Sequence, residues 1–309
     1  MEHQFSEFYN KNVIVTGATG FIGPHLCNRL TELGSNVYAV SRNYSFHLKT
    51  DKINYQSIDL SDIEQVRNLI KSVQPAYIFH LAGQAVGSRA IDVVPTTFES
   101  NLQTTLNILM EASRQKTGRL IITGSLEEPV SKGAEIIPSS PYAVSKWAAS
   151  AYARMFHRLY KTPVVIIRLF MVYGHGKQDQ KKLIPYVINN LLKGIPPKLS
   201  SGKREIDWVY IDDVIDGLLH TAIAENIEGQ TVDIGSGTLA TTRDFVEKIG
   251  KIINSETDLL FGSLDDRPME QIRKANIERT FSQIQWKPET KLNEGLKLTI
   301  DWYRNQNTK

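Results

Sequence analysis

Two features of the sequence predict an α/β protein built on a doubly wound parallel sheet. Short, near-continuous apolar runs alternate with helical stretches through the first half of the chain, and the first of these runs passes directly into a glycine-rich turn. Strands that are apolar throughout are buried on both faces, as in a parallel sheet with helices packed above and below it.

The elements follow in order. Asn-Val-Ile-Val-Thr at 12–16 reads as a buried strand, and a helix over 25–33, ended by Gly34, comes after the turn. Further strands are expected at 37–41, 53–58, 76–81, 119–123 and 164–170, with helices at 63–73, 98–114 and 143–160 between them. After Tyr173 the alternation loosens, and Pro185, Gly194, Pro196, Pro197 and Gly202 punctuate the chain. Residues 1–173 are therefore expected to form a dinucleotide-binding domain of Rossmann type, to which 205–235, beginning near Trp208, return. Residues 174–204 and 236–309 are expected to form a smaller, mostly helical substrate-binding domain. There is no internal repeat and no low-complexity segment.

The turn is Gly17-Ala18-Thr19-Gly20-Phe21-Ile22-Gly23. A side chain at Gly17 would crowd it, one at Gly20 would keep the backbone from a pyrophosphate, and one at Gly23 would hold the next helix off the sheet. The helix start offers free N–H groups and a positive dipole end to the phosphates, and Pro24 suits its first turn.

The second chemical motif is Tyr142-Ala143-Val144-Ser145-Lys146. A spacing of four puts Tyr142 and Lys146 on one helix face. An ammonium there is expected to lower the phenol's pKa from about 10, making Tyr142 an acid/base. The preceding strand ends in Thr123-Gly124-Ser125, which places a hydroxyl where such sheets open onto ligands.

Composition excludes several classes. The 309 residues are 41% hydrophobic, ample for a core, and 36 Lys and Arg against 33 Asp and Glu leave a net charge of +3. That balance excludes a nucleic-acid footprint. Cys27 is the single cysteine, so no intrachain disulfide forms and a reducing, cytoplasmic setting is expected. No leader-like segment or membrane span is read from the sequence. His157 and His220 have no histidine partner at helical spacing and there is no cysteine cluster, so spacing predicts no metal site.

On these residues the chain resembles the extended short-chain dehydrogenase/reductase family, within it the nucleotide-sugar epimerases, dehydratases and ketoreductases. The resemblance spans nearly the whole chain, with landmarks at Val172-Tyr173-Gly174, Trp208 to Asp213 and Trp286-Lys287-Pro288. It implies Ser125, Tyr142 and Lys146 as the catalytic set. It assigns cofactor contacts to Gly17, Thr19, Gly20, Phe21, Ile22 and Gly23 in the turn. Further contacts are implied at Asp59 and Leu60, at Leu81, Ala82 and Gly83, and at Asn101, Thr123, Tyr142 and Lys146. At the diphosphate of a nucleotide-linked sugar, Met171 stands where many relatives carry Asn. Ile206 stands where many carry Arg, so Arg204 is expected to supply that guanidinium together with Arg267. The helices at 98–114 and 143–160 resemble the pair through which family members dimerise, and Leu102, Leu106, Leu109 and Met110 recur at helical spacing. A homodimer is expected.

Strand two ends Val40-Ser41-Arg42-Asn43 with no acid to hold a ribose 2′-hydroxyl, so Ser41 and Arg42 favour NADP(H), with NAD(H) as the alternative. Dehydratases of this family commonly follow the catalytic Ser/Thr with Asp-Glu. Here the order is Ser125-Leu126-Glu127-Glu128, in which Glu127 fills the Glu position, Leu126 cannot donate a proton, and Glu128 points elsewhere if the segment is extended. The sequence thus favours reduction of a nucleotide-linked 4-keto-6-deoxy sugar. Behind it stand 4-epimerisation, then 4,6-dehydration, then a redox-silent NAD(P)-binding scaffold.

Overall fold

The computed structural model describes residues 2–42, 52–130 and 135–307; Asn43 lies outside these. Its first half alternates strand and helix: β1 (Asn12–Thr16), α1 (Gly23–Glu32), β2 (Asn36–Ser41), β3 (Ile53–Ser57), α2 (Ile63–Val73), β4 (Tyr77–His80), α3 (Val94–Thr97), α4 (Thr104–Gln115), β5 (Arg119–Ser125), α5 (Pro141–Tyr160) and β6 (Val164–Leu169). Then come β7 (Met171–Tyr173), α6 (Leu183–Leu192), β8 (Lys198–Leu199), β9 (Glu205–Tyr210), α7 (Ile211–Ile223), β10 (Thr231–Ile234), β11 (Leu239–Thr241), α8 (Thr242–Ile253), β12 (Leu260–Phe261), α9 (Ile277–Ile284) and α10 (Leu292–Asn307).

Seven strands form one sheet in the order β10-β6-β5-β4-β1-β2-β3, every pair parallel. The near-continuous apolar runs have a simple cause. Neighbouring residues on a strand face opposite ways, and here both ways lead to a core. Val13, Val15, Ile121, Val165 and Ile167 enter one core with Leu26 and Leu30 of α1. Ile14, Leu120, Ile122, Val164 and Ile166 enter the other with Ile70, Ile108 and Leu109 of α2 and α4. Full burial of each such side chain is worth roughly 1.5–3 kcal/mol.

Local signals set the helix ends. Asp62 caps α2 by accepting from the N–H groups of Glu64 and Gln65. Ser140 caps α5 by accepting from Ala143, with Pro141 at the helix start, and Lys161 closes it at φ +59°. The helix expected over 98–114 is not continuous. Phe98–Gln103 is wound as a π-helix between α3 and α4, and Asn101 is fully buried inside it.

The returning stretch also divides. β10 completes the seven-stranded sheet beside β6, whereas Trp208 lies in β9 of a separate three-stranded sheet with β7 and β11. There Trp208 stacks on Phe245 of α8, ring centroids 3.9 Å apart. The fully buried Asp207 ties β9 down by accepting from Ser236, Gly237 and Ala275 N–H groups. Among the described residues no helix is long and apolar enough to cross a membrane.

Candidate active site

The cofactor cleft opens where β1, β2 and β4 end. Gly17 turns the chain at φ +69°, and a Cβ there would lie 2.8 Å from the backbone of Leu81 and Ala82. A Cβ on Gly23 would lie 2.4 Å from the Gly17 carbonyl, so α1 meets the turn with no room for a side chain. Gly20 differs: among the described residues the Gly17 carbonyl at 3.2 Å is the one neighbour a Cβ would meet. The first turn of α1 has no side-chain cap, leaving its N–H groups facing that space. Bare backbone at Gly20 beside uncapped helix N–H groups is the chemistry a pyrophosphate needs, and the residues present fit a dinucleotide.

Nine of the residues assigned from sequence line this cleft: Gly17, Thr19, Gly20, Ser41, Arg42, Asp59, Leu60, Ala82 and Gly83. Phe21, Ile22 and Gly23 lead into α1, beside the cleft. Leu81 packs against the core, Asn101 is buried below the Gly83–Gln84 turn, and Thr123 sits behind Lys146. Val40, Ile58, Ser61, Glu99, Ser100 and Thr104 also line the cleft. The first three adjoin assigned positions and were readable as their neighbours. The last three come across from the π-helix and α4, which only packing reveals.

Beneath the cleft runs a buried chain of hydrogen bonds. Thr16 Oγ1 accepts from Ala82 N–H at 3.1 Å, so its own proton goes to His80 Nδ1 at 2.8 Å. His80 Nε2 then donates to Thr105 Oγ1 at 3.0 Å, whose proton reaches the Asn101 carbonyl at 2.6 Å. Burial, and then the nearby Lys146, push His80 down to about 3, so it is neutral. Asn101 continues outward: its Oδ1 accepts from Gln84 N–H at 2.6 Å and its Nδ2 donates to Ser145 at 3.1 Å. It fixes the floor between β4 and α5.

At the end of β5 the catalytic candidates meet. Tyr142 and Ser125 lie close enough for the serine hydroxyl to favour the ionised phenol. Lys146, 7% exposed, donates to the Thr123 carbonyl at 2.8 Å and to Thr123 Oγ1 at 3.2 Å. Two expectations are corrected here. Lys146 does not depress the Tyr142 phenol in this arrangement. Burial raises Tyr142 to about 12, the Ser125 hydroxyl pulls the other way, and Glu127 and Glu128 add to the rise. Burial also lowers Lys146 to about 8, against an opposing pull from Glu128. The ammonium is aimed at the strand carbonyl and does nothing to lower the phenol.

The second correction concerns the two acids. The chain after Ser125 is a turn, closed by Glu128 N–H to the Ser125 carbonyl at 3.1 Å, and not an extended strand. Glu128 therefore folds back under the site, 3% exposed, accepting from Ser125 N–H and Ser150 Oγ at 2.9 Å each. Leu126 is buried and supplies no proton. Glu127 pairs with Arg204 at 2.5 Å.

Arg204 also meets Glu270 at 3.1 Å and donates to the Gln271 carbonyl at 2.9 Å, yet its Nε is buried with no partner among the described residues. Arg267 lies 3.9 Å from the same Glu270 and is 60% exposed. Met171, half-buried, pairs with Trp208 across β7 and β9. Glu270 is a further residue that sequence reasoning missed. It joins the two arginines, and no local motif marks it.

A model of the NAD dependent epimerase/dehydratase family matches residues 13–235. The chain belongs to that family. The dTDP-glucose 4,6-dehydratase of Haemophilus influenzae is 24% identical, over 94% of this chain and 97% of its own. The UDP-glucose 4-epimerase of Mycolicibacterium smegmatis is 27% identical, over 95% and 98%. The Bordetella bronchiseptica enzyme WbmF, solved in complex with NAD+ and UDP, is 26% identical with a TM-score of 0.83, covering 98% of this chain and 95% of that one.

Proposed function

We propose that this family member acts at C4 of a nucleotide-linked hexose, with Tyr142 as the acid/base on the C4 oxygen. The single observation that carries the reading is the meeting of Tyr142 with Ser125 at the end of β5, with Lys146 buried behind them on Thr123. The nicotinamide, when bound, supplies the hydride donor or acceptor. Ser125 orients the phenol and the C4 oxygen toward each other, and Lys146 carries positive charge at the back of the site. Arg204 and Arg267 hold the diphosphate, and the unpartnered Arg204 Nε is a donor ready for one of its oxygens.

The finer reading is net reduction of a 4-keto-6-deoxy sugar by NADPH. Arg42 on the cleft wall and the absence of an acid at the end of β2 support NADPH. Leu126, the buried Glu128 and the paired Glu127 argue against 4,6-elimination, which needs an acid at C6 and a base at C5. A second reading, 4-epimerisation on retained NAD, is favoured by the full-length match to a UDP-glucose 4-epimerase. Incubation with nucleotide-linked 4-keto-6-deoxyhexoses and with the parent hexoses separates the readings. Stoichiometric NADPH oxidation supports the reductase, and interconversion of 4-epimers without net cofactor change supports the epimerase. A 4-keto-6-deoxy product from an unmodified hexose overturns both.

We further propose a homodimer through the α3–α4 and α5 face. Phe98, Val144 and Tyr152 are exposed there, while Leu109 is buried in the protomer's own core. A monomeric mass by light scattering at micromolar concentration contradicts it.

A further inference from the structure

A second cluster of chemically able side chains lies outside the site just described, where the dinucleotide helix α1 meets the start of α7. His25 comes from α1, His175 from the turn after β7, and Asp212 from the first turn of α7. One ligand atom from each lies within 4.8 Å of the other two. These positions are too far apart in sequence to show metal-ligand spacing, so the sequence predicted no metal site.

The backbone is shaped around these side chains. His175 is flanked by Gly174 at φ +153° and Gly176 at φ +110°, a conformation that suits glycine. A Cβ on Gly176 would lie 2.5 Å from His25 Nε2, and one on Gly174 2.3 Å from Ile211. The two imidazoles stand perpendicular with centroids 4.7 Å apart. His175 Nδ1 is 3.0 Å from the Tyr210 hydroxyl, which holds that nitrogen and leaves Nε2 to bind. Metal-binding histidines are typically held this way through the rest of the ring.

We propose that His25, His175 and Asp212 bind a divalent first-row metal ion of the zinc type. Two imidazoles and a carboxylate are a zinc donor set, with a fourth position left for water because Asp212 is exposed. Bonds of ~2.0–2.2 Å bring ligand atoms to roughly 3.3 Å apart in a tetrahedron, so closure requires side-chain shifts on the order of 1 Å. An entry path exists. His25 and Asp212 line a surface cavity between α1 and α7, where Glu32, Asp212 and Asp216 outnumber Arg29. The bound ion would link the helix that begins at the cofactor turn to α7, independently of which sugar the enzyme takes.

The test uses the full chain without a histidine tag, stripped with chelator and titrated with Zn2+ against a chromophoric competitor. Folding of each variant is checked by circular dichroism. We expect one Zn2+ per chain and a higher thermal midpoint with the ion present. His175→Ala and Asp212→Asn should each weaken binding at least ~10-fold. Tyr210→Phe, which keeps all three ligands, should weaken it about 10-fold by releasing the His175 ring. Asp212 is exposed, so its Asn variant keeps the test open even if a histidine variant fails to fold. Stoichiometric uptake that is absent in the parent chain, or unchanged in Asp212→Asn, overturns the site.

Discussion

On the cofactor side of the active site, the decisive contacts are made by backbone: Gly17 against Leu81 and Ala82, Gly23 against Gly17, and bare backbone at Gly20. On the substrate side they are made by charged side chains that hold one another: Arg204 with Glu127 and Glu270, and Arg267 with Glu270. The first wall has no room for a side chain at Gly17 or Gly23, so its shape is set by backbone. The second can exchange partners when an anion arrives, since each arginine already sits on a carboxylate it can release. On the proposed assignment, the cofactor meets a surface of backbone and the substrate meets one whose ion pairs can rearrange.

Between the two walls stands Tyr142, and the largest expected effect is there. Tyr142→Phe should lower turnover by about 10²–10⁴ while leaving cofactor affinity and the melting curve unchanged. Near-normal turnover would move the acid/base role to another group.

The glycines test the backbone wall. Gly17→Ala puts a side chain at positive φ against backbone, and should destabilise the fold by about 1–3 kcal/mol, read by denaturant titration. Gly20→Ala meets only the Gly17 carbonyl among the described residues, and should weaken dinucleotide binding with little change in stability. Equal behaviour of the two variants would erase the distinction between turn-making and phosphate-facing glycine.

The adjustable wall gives a smaller, more selective response. Arg204→Ala should raise the substrate KM about 10- to 100-fold, as expected for losing charged hydrogen bonds of ~1.5–3 kcal/mol. Dinucleotide binding should be untouched. Arg42→Ala should raise the KM for NADPH and spare NADH; equal use of both by the parent chain contradicts the NADPH preference.

The smallest effect is a pH dependence. Burial takes Lys146 from its ordinary 10.5 to about 8. Between those values the unfolded chain holds a proton that the folded chain has lost, so this group makes stability rise with pH across that window. The difference in melting temperature between the parent and Lys146→Met should grow in the parent's favour from about pH 8 to 10. A flat difference means that Lys146 is solvated.

How legible this was depends on distance along the chain. The turn at Gly17, the strand ending in Ser125 and the pair Tyr142 and Lys146 are local patterns, and the parallel sheet follows from apolar runs that feed two cores. The direction of the Lys146 ammonium was not readable, because Thr123 takes it only once β5 and α5 are packed. Nor was the burial of Glu128, which depends on a turn where an extended segment was expected. The π-helix around Asn101, the bridging Glu270 and the meeting of His25, His175 and Asp212 all arise from packing between remote segments.

The place of β10 at the end of the large sheet has a consequence for biosynthesis. Its partner β6 is the run Val-Val-Ile-Ile-Arg-Leu, and β10 follows roughly 65 residues later. A ribosome adding about 5–20 residues per second leaves that apolar edge unpaired for roughly 3–13 seconds after it emerges. During that interval the nascent chain carries an open template for sticking to another chain. Slower synthesis between 169 and 231 should therefore lower the yield of soluble protein by lengthening that exposure.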